Sequence, residues 1–139
     1  MSSCVFCRIV AGEIPAAIVY QDALSIAFMD AGQVNPGHVL VAAKTHAENL
    51  YELDDAQASA LLRCAVHVAR AIRAAFQPAG LSVYQANGKA AGQTVFHYHM
   101  HLLPRHEDDG VTLGWPAKNP PREMLADYAA AIRRELATG

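Results

Sequence analysis

The sequence lacks the segments that would place it in a membrane or on a nucleic acid. Among its 139 residues no stretch approaches the roughly 18 consecutive apolar residues of a membrane span, and the first fifteen residues do not resemble a secretory signal. The net charge is −2, with no run rich in lysine and arginine, so neither nucleic acid nor a membrane surface is an expected partner. We expect a soluble, cytoplasmic protein that acts on a small molecule.

Cysteine is also scarce, which argues against a fold held together by several disulfides. The three cysteines cannot all pair with one another. In a reducing compartment, the spacing Cys4-x-x-Cys7 is more typical of a metal or redox site than of a structural disulfide. Cys64 is expected to pack as a small hydrophobic residue.

The chain has no internal repeat and no low-complexity linker, so one domain over residues 1–139 is expected. Short runs of apolar and β-branched residues predict strands at 16–22, 24–30, 38–43, 81–87 and 95–103. Apolar residues at three- and four-residue steps predict a long helix that begins at Asp54 or Asp55 and ends before Pro78. A last helix is predicted over 122–136. This order favours an α+β fold with a mainly antiparallel sheet.

One predicted strand, 95–103, carries a histidine at every second position. Side chains alternate across a strand, so its histidines and its apolar residues are expected on opposite faces. The histidines are His97, His99 and His101, and the apolar residues are Phe96, Tyr98, Met100 and Leu102.

Three interpretations of this row compete. It is a chance feature of a solvated face, or a zinc site in which imidazoles bind the ion, or a nucleophilic site in which an imidazole attacks phosphorus. Seven histidines in the whole chain make three within five residues an improbable accident. The preceding loop, 87–96, contains glycine, amide and hydroxyl groups that suit a phosphate, although a glycine-containing loop alone is a weak signal.

Three segments together resemble the HIT (histidine triad) superfamily of nucleotidyl hydrolases and transferases. "GQTVFHYHMHLLPR" is similar to its His-x-His-x-His motif, "FMDAGQVNPGHVLVAAKTH" to its second signature, and "CVFCRIVAGEIP" to the N-terminus of its bacterial zinc-containing members. The resemblance runs from about Cys4 to Arg105 and leaves out the tail, 106–139. It implies a HIT-like fold with a five-stranded sheet, one long helix and a C-terminal helix, a homodimer, and a purine nucleotide as substrate.

The resemblance also implies a role for each motif residue. His99 would be the nucleophile that takes the nucleotide's α-phosphate, and His38 would lie beside that phosphate. Asp30 would accept hydrogen bonds from the ribose. The remaining catalytic or substrate-binding positions are Asn87, Gly92, Gln93, Thr94 and His101.

Zinc enters through the same resemblance. The ligands would be Cys4, Cys7, His46 and His97, which make a closed Cys2His2 site whose function is structural, since no position is left for a reactive water. Under that assignment, His97 anchors the fold while its two neighbours in the motif perform chemistry.

The expected activity is hydrolysis of adenosine 5′-monophosphoramidates, with dinucleoside polyphosphate hydrolysis as the alternative. The third histidine of the motif, His101, stands where the uridylyltransferase branch of the family has glutamine, which favours hydrolysis. The sequence departs from the family pattern in two places. Thr94 replaces a common serine but keeps the hydroxyl, and "VAAK" lacks the proline that relatives commonly have before the lysine. Two other classes stay open. One is a non-catalytic nucleotide-binding scaffold, whose cellular effect would be unchanged when His99 is replaced by alanine. The other is a zinc hydrolase using the three motif histidines, which chelation would inactivate.

Overall fold

A computed structural model describes residues 3–112 and 114–139. The chain forms two compact units, Met1–Asp109 and Gly110–Gly139. The first unit contains helices α1 (Val5–Val10) and α2 (Asp55–Phe76) and strands β1 (Ile18–Gln21), β2 (Ser25–Met29), β3 (Val39–Ala43), β4 (Gly80–Tyr84) and β5 (His99–Arg105). Short 3-10 turns lie at Leu50–Glu52 and Lys89–Ala91.

The five strands form one sheet in the order β1-β2-β3-β5-β4, and every neighbouring pair is antiparallel. This confirms the expected α+β fold with a five-stranded antiparallel sheet and one long helix. The long helix begins where predicted, because Asp54 and Gln57 form a reciprocal capping box at its first turn. It ends at Phe76, with Gln77 in the left-handed conformation.

The central strand, β3, is buried on both faces, so its side chains divide between two cores. Val39, Val41 and Ala43 pack with α2, whereas Leu40 and Ala42 pack with Phe6 and Ile9 of α1. The β3–β5 register pairs Leu40 with His101 and Ala42 with His99. Both histidines therefore lie on the α1 face, and Met100 and Leu102 lie on the α2 face.

The histidine strand begins later than the sequence predicts. The expectation of a strand over 95–103 is wrong at both ends, because β5 runs from His99 to Arg105. The Tyr98 N–H donates to the Ala47 carbonyl at 2.7 Å instead of extending the ladder. His97 consequently lies in a bend ahead of the strand, and Phe96 is 44% exposed where an apolar core position was expected.

The second unit contains the predicted final helix, α3 (Arg122–Thr138), which starts directly after Pro121. Its apolar stripe is exposed along its length: Leu125, Tyr128, Ile132 and Leu136. Helix α1 was not predicted at all, since its six residues are too few to show a helical period. Within residues 3–112 and 114–139, no helix combines the length and apolar character needed to cross a bilayer.

Candidate active site and metal cluster

His99 and His101 line a cavity of about 640 Å³ on the α1 face of the sheet. Apolar side chains from α1, the loop after it, strands β2 and β3 and the segment before β5 form most of its wall: Phe6, Ile9, Ile14, Phe28, Leu40 and Val95. The polar groups gather at one side, where Asp30 and Thr94 join the two histidines. A cavity with an apolar wall and a few grouped polar atoms is the usual form of a small-molecule site.

His99 has one ring nitrogen fixed by the backbone. Its Nδ1 lies 2.7 Å from the His97 carbonyl oxygen, and a carbonyl only accepts, so Nδ1 carries the proton. The unshared electron pair is therefore on Nε2. Burial lowers the pKa of His99, and that hydrogen bond and Asp30 only partly offset the effect. The ring is therefore neutral at neutral pH. The Phe6 ring meets the imidazole edge-on, with centroids 5.0 Å apart.

His38, His101 and Asp30 form a second polar cluster beside His99. His38 Nε2 lies 2.9 Å from His101 Nδ1 and 3.4 Å from Asp30 Oδ2. Burial lowers the pKa of His38 despite the carboxylate, and burial together with the neighbouring imidazoles lowers the pKa of His101 to about 4. Both rings are thus neutral near neutral pH, and the carboxylate supplies the cluster's negative charge.

The loop that carries Asp30 and His38 is shaped by one side-chain amide, that of Gln33. Its Nε2 donates to the carbonyls of Asp30 and His38, and its Oε1 accepts from the N–H groups of Gly37 and His38. Four backbone groups are satisfied by one residue, which fixes the two functional side chains relative to each other. Sequence reasoning did not identify Gln33, because a glutamine in a loop has no distinguishing pattern.

The glycine-containing loop is less open than the sequence suggests. The N–H groups of Gly88, Ala91, Gly92 and Gln93 all bond within the loop, so in this structure they do not offer free donors to a phosphate. The buried Gln93 amide accepts from Gly88 and donates to the carbonyls of Glu48 and Val95.

The other predicted residues of this loop divide between two environments. Asn87 accepts from the Leu50 N–H and exchanges hydrogen bonds with Gln85, whereas Thr94 lines the cavity. In this structure Asn87 and Gln93 brace the loop, and their contact with substrate stays a prediction.

A separate cluster joins Cys4, Cys7, His46 and His97, whose ligand atoms all lie within 4.8 Å of one another. The Nδ1 atom of His97 lies 3.3 Å from Cys4 Sγ, 3.5 Å from Cys7 Sγ and 3.2 Å from His46 Nδ1. Donors at about 2.0–2.3 Å from a tetrahedral zinc ion are about 3.3–3.8 Å apart, so the spacing fits.

The hydrogen bonding of His97 also fits a metal. Its Nε2 donates to the Ala43 carbonyl at 2.6 Å, which leaves Nδ1 unprotonated and facing the two sulfurs. Cys4 is the N-cap of α1 and its Sγ accepts from the Cys7 N–H, so the start of the helix sets the spacing of the two thiols. The residues predicted as ligands are brought together as a set.

Sequence comparisons identify the same family as the motifs. The HIT domain matches residues 11–108. "Protein hit" of Bacillus subtilis is 45% identical over 139 residues, with 98% of this chain and 96% of the relative covered. Adenosine 5′-monophosphoramidase hnt1 of Schizosaccharomyces pombe is 40% identical over 116 residues, with 83% of this chain and 84% of the relative covered.

Solved structures agree with the sequence comparisons. A HIT family protein from Bacillus subtilis superposes with a TM-score of 0.91 at 43% identity, covering 96% of each chain. A zinc-bound histidine triad family protein from Mycobacterium smegmatis gives a TM-score of 0.74 at 33% identity, covering 98% of this chain and 96% of that chain.

Proposed function

This chain belongs to the HIT domain family of nucleotide hydrolases, and from that premise we propose that it cleaves purine nucleoside 5′-phosphoramidates through a covalent nucleotidyl-His99 intermediate. The observation that carries the proposal is the hydrogen bond from His99 Nδ1 to the His97 carbonyl at 2.7 Å. It leaves Nε2 with its electron pair in a ring that lines the cavity. A neutral imidazole in that state is a competent nucleophile.

The reaction has two displacements. His99 Nε2 forms a bond to the α-phosphorus, the phosphorus–nitrogen bond breaks, and the amine departs with a proton donated by the neighbouring imidazole of His101. Water then attacks the nucleotidyl-imidazole and gives one proton back to His101, which releases the nucleoside monophosphate and restores both rings. Negative charge grows on the non-bridging oxygens in both steps, so the N–H of His101 and the hydroxyl of Thr94 are suited to stabilise it.

The cavity wall supports a nucleoside rather than a simple phosphate as the ligand. The apolar side chains of Phe6, Ile9 and Phe28 offer a surface for a flat purine. Asp30 also lines this cavity, and a carboxylate there supports a role as acceptor of hydrogen bonds from the ribose hydroxyls. The similarity to a relative named adenosine 5′-monophosphoramidase supports adenosine as the nucleoside and an amine as the leaving group of the proposed substrate.

We further propose that the Cys4, Cys7, His46 and His97 cluster holds a structural zinc ion. A zinc ion bound there supplies folding free energy by cross-linking α1, the segment after β3 and the bend before β5. The zinc-bound family member supports this metal. His97 then contributes in two ways, since its side chain holds the cluster while its carbonyl orients His99.

Intact-protein mass spectrometry with rapid quenching tests the reaction. Wild-type protein mixed with adenosine 5′-phosphoramidate is expected to gain the mass of one adenylyl group transiently, and the His99→Ala variant to gain none and to lose turnover. Turnover that persists in His99→Ala would contradict covalent catalysis at this residue. Binding of AMP without turnover in wild type would indicate a nucleotide-binding scaffold, and a faster reaction with a dinucleoside polyphosphate would change the assigned substrate.

We also propose a homodimer, which rests on resemblance to the family. The exposed apolar stripe of α3 is a feature of this chain that an association between copies would explain. Sedimentation analysis of the full chain and of a Leu125→Glu variant distinguishes a dimer that needs this stripe from a dimer formed elsewhere or a monomer.

A further inference from the structure

His38 and His101 share one hydrogen bond whose direction decides what His101 can do. The two nitrogens involved, His38 Nε2 and His101 Nδ1, are 2.9 Å apart, with ring centroids at 5.1 Å and a tilt of 40°. Two neutral imidazoles at this distance share a single proton, carried by one ring or by the other. The distance alone leaves both directions open.

The backbone selects the direction. The N–H of Val34 donates to His38 Nδ1 at 3.3 Å, so this nitrogen bears the unshared pair. A neutral His38 therefore carries its proton on Nε2, and that proton points at His101 Nδ1. Asp30 Oδ2, at 3.4 Å from His38 Nε2, is a second acceptor and favours the same placement.

We infer that the Val34 N–H, acting through His38, fixes His101 with its proton on Nε2, which makes His38 a positioning residue. His101 Nδ1 accepts from His38, so the only place for the proton of a neutral His101 is the opposite nitrogen. His99 has the reverse arrangement, with its proton on Nδ1 and its electron pair on Nε2. Adjacent rings on one strand thus present a nucleophilic nitrogen and an N–H donor.

The burial of the two rings is consistent with this relay. The His38 side chain is 4% exposed and is absent from the cavity lining, whereas His101 is 27% exposed and lines the cavity. His38 therefore acts on a ligand through His101. A second proton on His38 would face the Val34 N–H, so the relay also requires the neutral ring.

The inference rests on the proposed function only for its effect on catalysis, since the ring tautomers are properties of the protein alone. Long-range ¹H–¹⁵N correlation spectra of histidine-labelled, zinc-loaded wild-type protein at neutral pH report which ring nitrogen is protonated. Each signal is assigned by single-histidine variants. We expect His38 and His101 to be protonated at Nε2 and His99 at Nδ1. A proton on Nδ1 of either His38 or His101 would overturn the relay.

Two substitutions at His38 provide the kinetic arm. His38→Ala removes the donor to His101 and is expected to lower kcat about tenfold with little change in KM, because one hydrogen bond to a reacting group is lost. His38→Gln places an amide N–H near the former Nε2 and is expected to recover most of that loss. Equal kcat values for wild type and His38→Ala would contradict the relay. A His38→Gln variant that recovers none of the lost kcat, with both variants folded, would also contradict it.

A matched substitution elsewhere controls for the exchange itself. His67 stacks on Tyr20 with centroids 6.1 Å apart, away from the cavity residues, so His67→Gln should leave the His101 nitrogen shifts unchanged. If wild-type protein shows the expected tautomers but no turnover of a phosphoramidate, the proposed function fails and the relay stands. If turnover is normal and the tautomers are reversed, the relay fails and the function stands.

Discussion

His97 Nε2 lies 2.6 Å from the carbonyl oxygen of Ala43, and this contact ties the metal cluster to the central strand β3. Because the ring donates here, its other nitrogen faces the thiols of Cys4 and Cys7. The same residue supplies the carbonyl that orients His99. The cysteine–histidine cluster and the proposed nucleophile are thus adjacent in the chain, and His97 contacts both through different groups.

Loss of one thiol tests whether the cluster is structural. Loss of a residue that only hydrogen-bonds to a metal ligand lowers metal affinity about 10- to 100-fold. Cys4→Ser replaces a proposed ligand itself, so we expect a larger loss of zinc affinity. It should also lower the thermal midpoint, because bound metal contributes folding free energy. Metal analysis and thermal unfolding measure both effects, and the folded fraction should keep its turnover.

Cys64 provides the matched control for that experiment. It is a residue of α2, fully buried against the sheet and not part of the cluster, so Cys64→Ala should keep one zinc per chain despite a loss of packing. Abolished turnover in a Cys4→Ser sample shown to be folded would instead indicate a catalytic metal.

The amide of Gln33 is expected to control both stability and catalysis. Gln33→Ala removes hydrogen bonds to four backbone groups, and since the loop is partly solvated we expect a loss of about 1–3 kcal/mol in the free energy of unfolding. A lower kcat should accompany it, because Asp30 and His38 lose their fixed relation. Urea denaturation and steady-state kinetics measure these quantities.

Gln33→Glu separates the two halves of this contact. The carboxylate keeps an acceptor for Gly37 and His38 but cannot donate to the two carbonyls, and it adds a negative charge near Asp30. It should be at least as destabilising as alanine. A glutamate variant as stable as wild type would show that the two donated bonds contribute little.

The fold and both residue clusters were predictable to different depths. Short apolar and β-branched runs and the capping signal at Asp54 were sufficient for four strands and α2, because those patterns act locally. The ligand set followed from resemblance, and its four residues come from three distant segments that only the folded sheet brings together.

Other features depend on contacts that no local pattern encodes. The start of β5 was misplaced because the Tyr98 N–H bonds to the Ala47 carbonyl, a tertiary contact. Helix α1 owes its place to Phe6 and Ile9 packing on the sheet and is too short for a periodic signal. Gln33 acts through its side-chain amide and Val34 through its backbone N–H, both in contacts within one loop where no periodic pattern marks them.

Acid should lower the free energy of unfolding because it favours protonation of two histidines that are neutral in the folded protein, His38 and His101. A histidine has a pKa of about 6.5 in an unfolded chain, whereas burial lowers the pKa of His38 and brings that of His101 to about 4. Between these values the unfolded chain binds more protons, so the free energy of unfolding falls as pH drops from about 6.5 towards 4. We expect His101 to contribute about 1–3 kcal/mol of this loss.

Comparison of wild type with His101→Gln isolates that contribution from acid release of metal. Urea unfolding at several pH values from about 7 to about 4.5 should give a shallower decline for the variant, since one lowered pKa has been removed. The zinc ligands are unchanged in both proteins and their effect cancels. Parallel declines would mean that His101 is not the group responsible.

Gly37 joins the loop of the active site to the end of α2, and a single methyl group there should be costly. Its φ is +96°, and a Cβ would lie 2.8 Å from Cδ2 of the Phe76 ring. Gly37→Ala therefore combines a strained backbone with a steric overlap, and we expect a loss of about 2–4 kcal/mol in the free energy of unfolding.

Gly12→Ala is the matched control, because its φ is +78° and a Cβ would meet nothing within 4 Å. The difference between the variants measures the overlap. Adding Phe76→Leu to Gly37→Ala should recover part of that difference, and a recovery of none would show that contact with the Phe76 ring is not its cause.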